Sequence, residues 1–452
     1  MPEYKPRQAI VIIHGIGDQA PMQTLRSFVE TMTEGAHPGV KFEGKAESKP
    51  DHLSPTLELR RMTVLGENRE WKQGDWVSTD FYELYWAHLM TGTAWHHVMA
   101  WVAQLLLRRP SSVPARLKAA WCVSWLVVLV AFVVVIGPIG SRSAVEWSLF
   151  GALAGTLFAI CRSTGTYFGL QYAGDAARYL SPRPENVGVR QAIRSAAVDL
   201  LEKLHDDPSW RRYHRIVVVG HSLGSVIAYD ALTHLWQRRH HPKQTLPLPP
   251  YGDIAHSCEP DGTSGATAID RARARQAAMW REQRAMGVQW KVTDFVTLGS
   301  PLAHAPFLMA SDKDDFARRV AEREYPSCPP QENDARDKQY GASLLKATTG
   351  GDLLHHAALF ACTRWTNLYF DRDIIGGRIS DLGDWIDNQR LEPRGLFPHT
   401  RYWQRGGSHD QLDRALDLRE WWTEERNLHV ATTAQHRESE RIASLSMTPM
   451  KE

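Results

Sequence analysis

Paired cysteines are the plainest lack in this sequence. Its five, Cys122, Cys161, Cys258, Cys328 and Cys362, are odd in number and contain no C-x-x-C. That excludes a disulfide framework, argues against a structural zinc site and suits a reducing compartment. One-sided charge is lacking too. Against 53 Lys and Arg stand 51 Asp and Glu, a formal net charge of +2, too balanced to suggest a nucleic-acid surface. No internal repeat is visible, which excludes a solenoid or propeller. An apolar leader is missing as well: MPEYKPRQAI runs almost directly into a strand-like segment, so no secretory signal is expected. What remains, 452 residues at 43% hydrophobic and 23% charged, is enough for one large core with insertions, or for two domains.

The most informative stretch is IVVVGHSLGS, residues 216–225. Four β-branched residues read as a central strand, and Gly220-His221-Ser222-Leu223-Gly224 matches G-x-S-x-G, a turn that exposes a serine hydroxyl between a strand and a helix. The helix follows in the sequence, with Val226, Ile227, Tyr229, Ala231, Leu232 and Leu235 at helical spacing up to Trp236. A serine nucleophile needs two backbone donors for the oxyanion, one from the residue after it and one from another strand's loop. Leu223 N–H is the first candidate. The second is Ile16 N–H, because AIVIIH, residues 9–14, is another apolar run and leads into Gly15-Ile16-Gly17. His14 and His221 precede these backbone positions and read as structural. Three His-His pairs tempt a metal reading, and Asp352, His355 and His356 have helical spacing. Adjacent histidines diverge, however, so no metal site and no cofactor is assigned.

Through VIIHGIG, VVVGHSLGS and the later VTLGSPL, the chain resembles the α/β-hydrolase superfamily, and more narrowly its lipase and esterase branch. The resemblance implies an α/β fold with a mostly parallel sheet and helices on both faces. It also implies an acid after a late strand and a histidine after the last one. WTNLYF, 365–370, reads as the late strand and ends at Asp371-Arg372-Asp373. The lipase-like pattern, an acid before an apolar pair and a small residue, fits Asp373 better than Asp371. GLFPHTRYW offers His399 in an H-x-x-Y-W similar to that of relatives; His409, in GGSHD, is the alternative.

Residues 119–141 carry no charge, and their centre, SWLVVLVAFVVVIG, is nearly all valine, leucine and aromatic. That length reads as a transmembrane helix. A second, weaker segment at about 145–165 would complete a hairpin, with Gly151 and Gly155 in a G-x-x-x-G. Arg108, Arg109, Arg116 and Lys118 precede the first helix and Arg162 follows the second, so both ends, and the catalytic domain, are expected to face the cytosol. The expected organisation is an N-terminal part of the hydrolase domain (1–94), a membrane insertion (95–174), a C-terminal part (175–430) with polar insertions at 238–287 and 311–352, and a disordered tail (431–452).

These readings lead to a membrane-anchored serine hydrolase acting on a carboxylic ester, most readily of a lipid. Its partners would be a lipophilic ester and the membrane, not nucleic acid, and oligomeric state is not legible. The same residues would serve an acyltransferase, thioesterase or peptidase, and a non-catalytic membrane scaffold is the rival of another class.

Overall fold

The computed structural model describes residues 7–418 apart from 18–19, 35–45, 55, 57, 66–76, 91–94, most of 141–173, 182, 207–212, 240–266, 286–287, 332–344, 349–350, 393–397 and 404–408. Its strands are Arg7–Ile13 (β1), Glu47–Pro50 (β2), Arg60–Val64 (β3), Ser78–Leu84 (β4), Arg215–His221 (β5), Val292–Leu298 (β6), Leu345–Thr348 (β7), Gly351–Leu354 (β8), Arg364–Phe370 (β9) and Asp387–Leu391 (β10). Eight of them form one sheet in the order β10-β9-β6-β5-β1-β4-β3-β2, and β7 and β8 pair separately. Neighbours from β10 to β4 run parallel, while β3 and β2 are antiparallel. The protein is therefore α/β, with a mostly parallel sheet.

Its helices are Gln23–Glu34 (α1), Trp95–Leu106 (α2), Ala115–Gly140 (α3), Gly174–Leu180 (α4), Pro184–Asp206 (α5), Leu223–Arg239 (α6), Ala268–Ala285 (α7), Ala305–Met309 (α8), Lys313–Ala321 (α9) and His409–Leu416 (α10). Because a parallel strand is covered on both faces, its side chains can be apolar throughout, which is how RIVVVGH folds. Alternation divides its residues between two cores. Ile216 and Val218 join Leu200, Leu204, Leu232 and Trp280 from α5, α6 and α7 on one face; Val217 and Val219 join Leu25, Phe28 and Leu412 from α1 and α10 on the other. Each fully buried aliphatic chain contributes about 2 kcal/mol.

At the amino edge of the sheet a buried ion cluster ties the layers together. Arg215 and Arg364 both reach Asp294 (2.5 and 2.8 Å), and Arg215 also donates to the carbonyls of Leu416 and Asp417, holding the end of α10. Burial alone would raise the Asp294 pKa, but the two guanidinium groups hold it well below the usual carboxylate range. Removing one partner from such a cluster costs far more than a surface pair, because a buried charge is left uncompensated.

The basic stretch Arg271 to Arg284 within 238–287, whose sequence reads as a helix, forms α7 and belongs to a helical layer, with Trp280 buried and Gln276 donating to the Phe360 and Thr363 carbonyls. Two expectations change here. The insertion at 311–352 contains α9 and most of the β7–β8 hairpin. Asp352 lies in β8, so its spacing to His355 and His356 is not helical; His355 bonds the Gln331 carbonyl and accepts from Ala357 N–H.

Among the described residues no helix is long and apolar enough to cross a membrane. Helix α3 extends to Gly140, but its side chains are described only as far as Val130 and at Phe132; the second expected segment lies almost entirely outside the described residues, as does the tail from 431. What is described of α3 is unusual for a surface helix. Val123, Trp125, Leu126, Val127, Val128, Leu129 and Phe132 are all exposed, Phe132 at 59%. An apolar row of this kind in water would be expected to have a cover.

Candidate active site

The sheet changes direction at β1. From β1 the chain jumps to the sheet edge at β2 and works back through β3 to β4 beside β1, then crosses to place β5 on the other side, and ligands of open α/β sheets bind at the carboxyl ends of strands flanking such a point. Ser222 follows β5 there, and Gly15-Ile16 follows β1. Ser222 sits at φ +52°, a left-handed conformation that costs a non-glycine residue roughly 1–3 kcal/mol and that turns its hydroxyl out of the strand. The turn closes because its glycines have no side chain. A Cβ on Gly220 would strike Ser225, and one on Gly224 would strike the Ile13 and His14 carbonyls, so α6 starts directly against β1. Ser222 N–H donates to the Leu298 carbonyl of β6, and Ser225 Oγ donates to Ser222 O and is hydrogen-bonded to the Ser300 hydroxyl.

The Ser222 hydroxyl donates to His399 Nε2 at 2.8 Å, and His399 Nδ1–H donates to Asp373 Oδ2 at 2.8 Å. The carboxylate can only accept, so it fixes the tautomer that leaves Nε2 free to take the serine proton. Tyr402 donates its hydroxyl to the same Asp373 oxygen (2.7 Å), and Ile375 N–H donates to Oδ1 (2.9 Å). Burial would raise the Asp373 pKa, but the bond and charge of His399, with help from Tyr402 and the Gly376 N–H, hold it below its ordinary value.

The alternatives are placed elsewhere. Asp371 is part exposed and lies between Arg116 and Arg390. His409 begins α10, and its side chain lies outside the described residues.

Leu223 is the first residue of α6, so its N–H has no partner within the helix. The other candidate donor, Ile16 N–H, belongs to a peptide that His14 fixes. His14 Nδ1–H donates to Gly15 O (2.7 Å), and its Nε2 accepts from Trp86 N–H (3.2 Å) while Trp86 Nε1–H donates to His14 O. A planar trans peptide with its carbonyl fixed has its N–H fixed too. His221 donates to the carbonyl of His399 (2.9 Å) and so fixes the backbone that carries that imidazole.

Sequence reading missed four participants here. Tyr402 was visible in the H-x-x-Y-W spacing but had no role. Gly299, at φ +57°, and Ser300 appear in VTLGSPL; a Cβ on Gly299 would collide with Tyr402. Arg116 gave no signal beyond its charge. Elsewhere, a groove of about 280 Å³ lies between α5 and α6, with Arg194 paired to Asp230 and Arg238 to Glu202.

Burial lowers the pKa of His14 to about 4 and of His205 and His221 to about 3. Each is neutral when folded but takes a proton near pH 6.5 when unfolded, so stability is present at pH 7 and is lost as the pH falls toward 4, about 2 kcal/mol per imidazole by pH 5. Buried Glu83, raised to about 7, has the opposite slope and returns about as much as one imidazole removes. The urea midpoint should therefore drop between pH 7 and pH 5, and an unchanged midpoint would contradict the burial of these rings.

No protein-family model matches the chain, and no curated protein or solved structure matches it.

Proposed function

We propose that this chain is a membrane-associated serine hydrolase of the α/β-hydrolase type that cleaves carboxylic esters, with a lipid as the preferred substrate. The observation that carries the reading is the continuous Ser222–His399–Asp373 hydrogen-bond chain beside a sheet switch point, with the serine in a left-handed turn. In the mechanism this supports, His399 takes the proton as Ser222 Oγ attacks the ester carbonyl, and Asp373 stabilises the imidazolium. The N–H groups of Ile16 and Leu223 receive the oxyanion. His399 then protonates the departing alcohol, and water, activated by the same imidazole, releases the acid.

The lipid preference rests on α3. Its exposed apolar row would be covered by hydrocarbon, and the basic residues before it favour a cytosolic catalytic domain. The insertion leaves the sheet after β4, at the same carboxyl edge as Ser222, so a lipid could reach the serine without crossing much water. Replacing residues 121–161 with a short Gly-Ser linker should release the protein from membranes and lower turnover of liposomal lipid far more than turnover of a soluble short-chain ester. Equal losses on both substrates, or no loss on liposomes, would overturn the lipid assignment.

A further inference from the structure

We propose that Arg116 is a positioning residue for the acid of the triad: from the first turn of α3 it holds the loop 371–376, so that Asp373 faces His399. The inference rests on the serine-hydrolase reading and adds to it a residue far from the three reacting groups in sequence.

The geometry is that of a cation seated among carbonyl dipoles. Arg116 Nη1 lies 3.5, 3.1, 3.4 and 3.4 Å from the carbonyl oxygens of Phe370, Asp371, Asp373 and Gly376, and Nη2 lies 3.3 Å from Asp371 Oδ1. The guanidinium also lies 5.9 Å from the Tyr369 ring centroid. His304 Nε2–H donates to a further acceptor of the turn, Ile374 O, at 3.2 Å. The loop carbonyls thus converge on Arg116, leaving Ile375 N–H directed at Asp373 Oδ1. Carbonyls that converge without a cation repel one another, and the loop would be expected to open. Opening it moves Asp373, and a displacement of about 1 Å in a catalytic group can cost roughly 10²-fold in rate.

A cation at the start of a helix opposes the helix dipole, so Arg116 does not serve α3 itself. Its contacts lie across 254 or more residues of chain, on the acid loop. Through Arg116 the apolar helix and the acid loop are tied together, and the seating of α3 is a condition for an assembled triad.

Arg116→Met and Arg116→Lys test the assignment, with p-nitrophenyl butyrate as substrate and hydrogen exchange at the Ile375 amide as a readout that needs no turnover. Arg116→Met should fold, lose roughly 10²-fold in kcat with KM within about twofold of wild type, and exchange the Ile375 amide faster. Four of the five polar contacts come from one nitrogen, so Arg116→Lys, a point charge, should recover at least about tenfold of that loss. A residue that only stabilises the fold would lower kcat no further than the folded fraction falls. A folded Arg116→Met enzyme with wild-type kcat and wild-type exchange would overturn the proposal, as would equal losses for Met and Lys. Should the Met variant not fold, Arg116→Gln, which also removes the cation, with both readouts unchanged would overturn it. If wild-type Ser222 fails to react with a fluorophosphonate, the hydrolase reading falls, whereas the Ile375 exchange still decides what Arg116 does.

Discussion

Ser222→Ala is expected to lower hydrolysis of p-nitrophenyl butyrate by at least ~10³-fold while leaving the fold and KM little changed. The hydroxyl is the only atom removed, and its bond is to His399, not to the core. Loss of the hydroxyl also leaves Ser222 N–H on Leu298 O and the turn glycines in place, so the elbow should remain formed. The residual rate would come from the Ile16 and Leu223 donors and from substrate binding, which operate without the nucleophile. Activity within tenfold of wild type would require another nucleophile and would remove the mechanism.

The second large effect separates the two histidines. His399→Ala should match the Ser222→Ala loss, and the double variant should be no slower than either single one, because groups that act as a unit are non-additive. His409→Ala should stay within a few-fold of wild type, since that residue begins a helix whose far end is held at the opposite edge of the sheet by Arg215. The reverse pattern would assign the base to His409. Additive losses, with the double variant roughly 10⁶-fold down, would mean that Ser222 and His399 act independently despite their 2.8 Å contact.

The parts of this arrangement that could be read from sequence are those set by neighbours in the chain. Four β-branched residues before Gly220 and a helical apolar pattern after Gly224 are local signals, and β5 and α6 form there. Asp373 and His399 were narrowed by resemblance, each with a rival; the structure brings these two to Ser222 and puts Asp371 between two arginines. Long-range electrostatics was not legible. Arg116 looked like a flanking charge before an apolar helix, and nothing near position 116 indicates that carbonyls at 370–376 surround it. Nor does a lone tyrosine in H-x-x-Y-W reveal that its hydroxyl meets a carboxylate. The charge-dense stretch from 311 concealed α9, whose start is set by a side-chain cap: Asp312 accepts from Asp315 N–H, a contact that the density of charge there obscures.

Covalent labelling with a fluorophosphonate, followed by mass spectrometry of the modified peptide, tests the central claim most directly. The probe phosphonylates a serine only where a base has activated it and an oxyanion hole receives the developing charge. The account predicts a single adduct on Ser222, absent from Ser222→Ala and strongly slowed in His399→Ala. No adduct on the folded wild-type protein, or an adduct on a different serine, would contradict it.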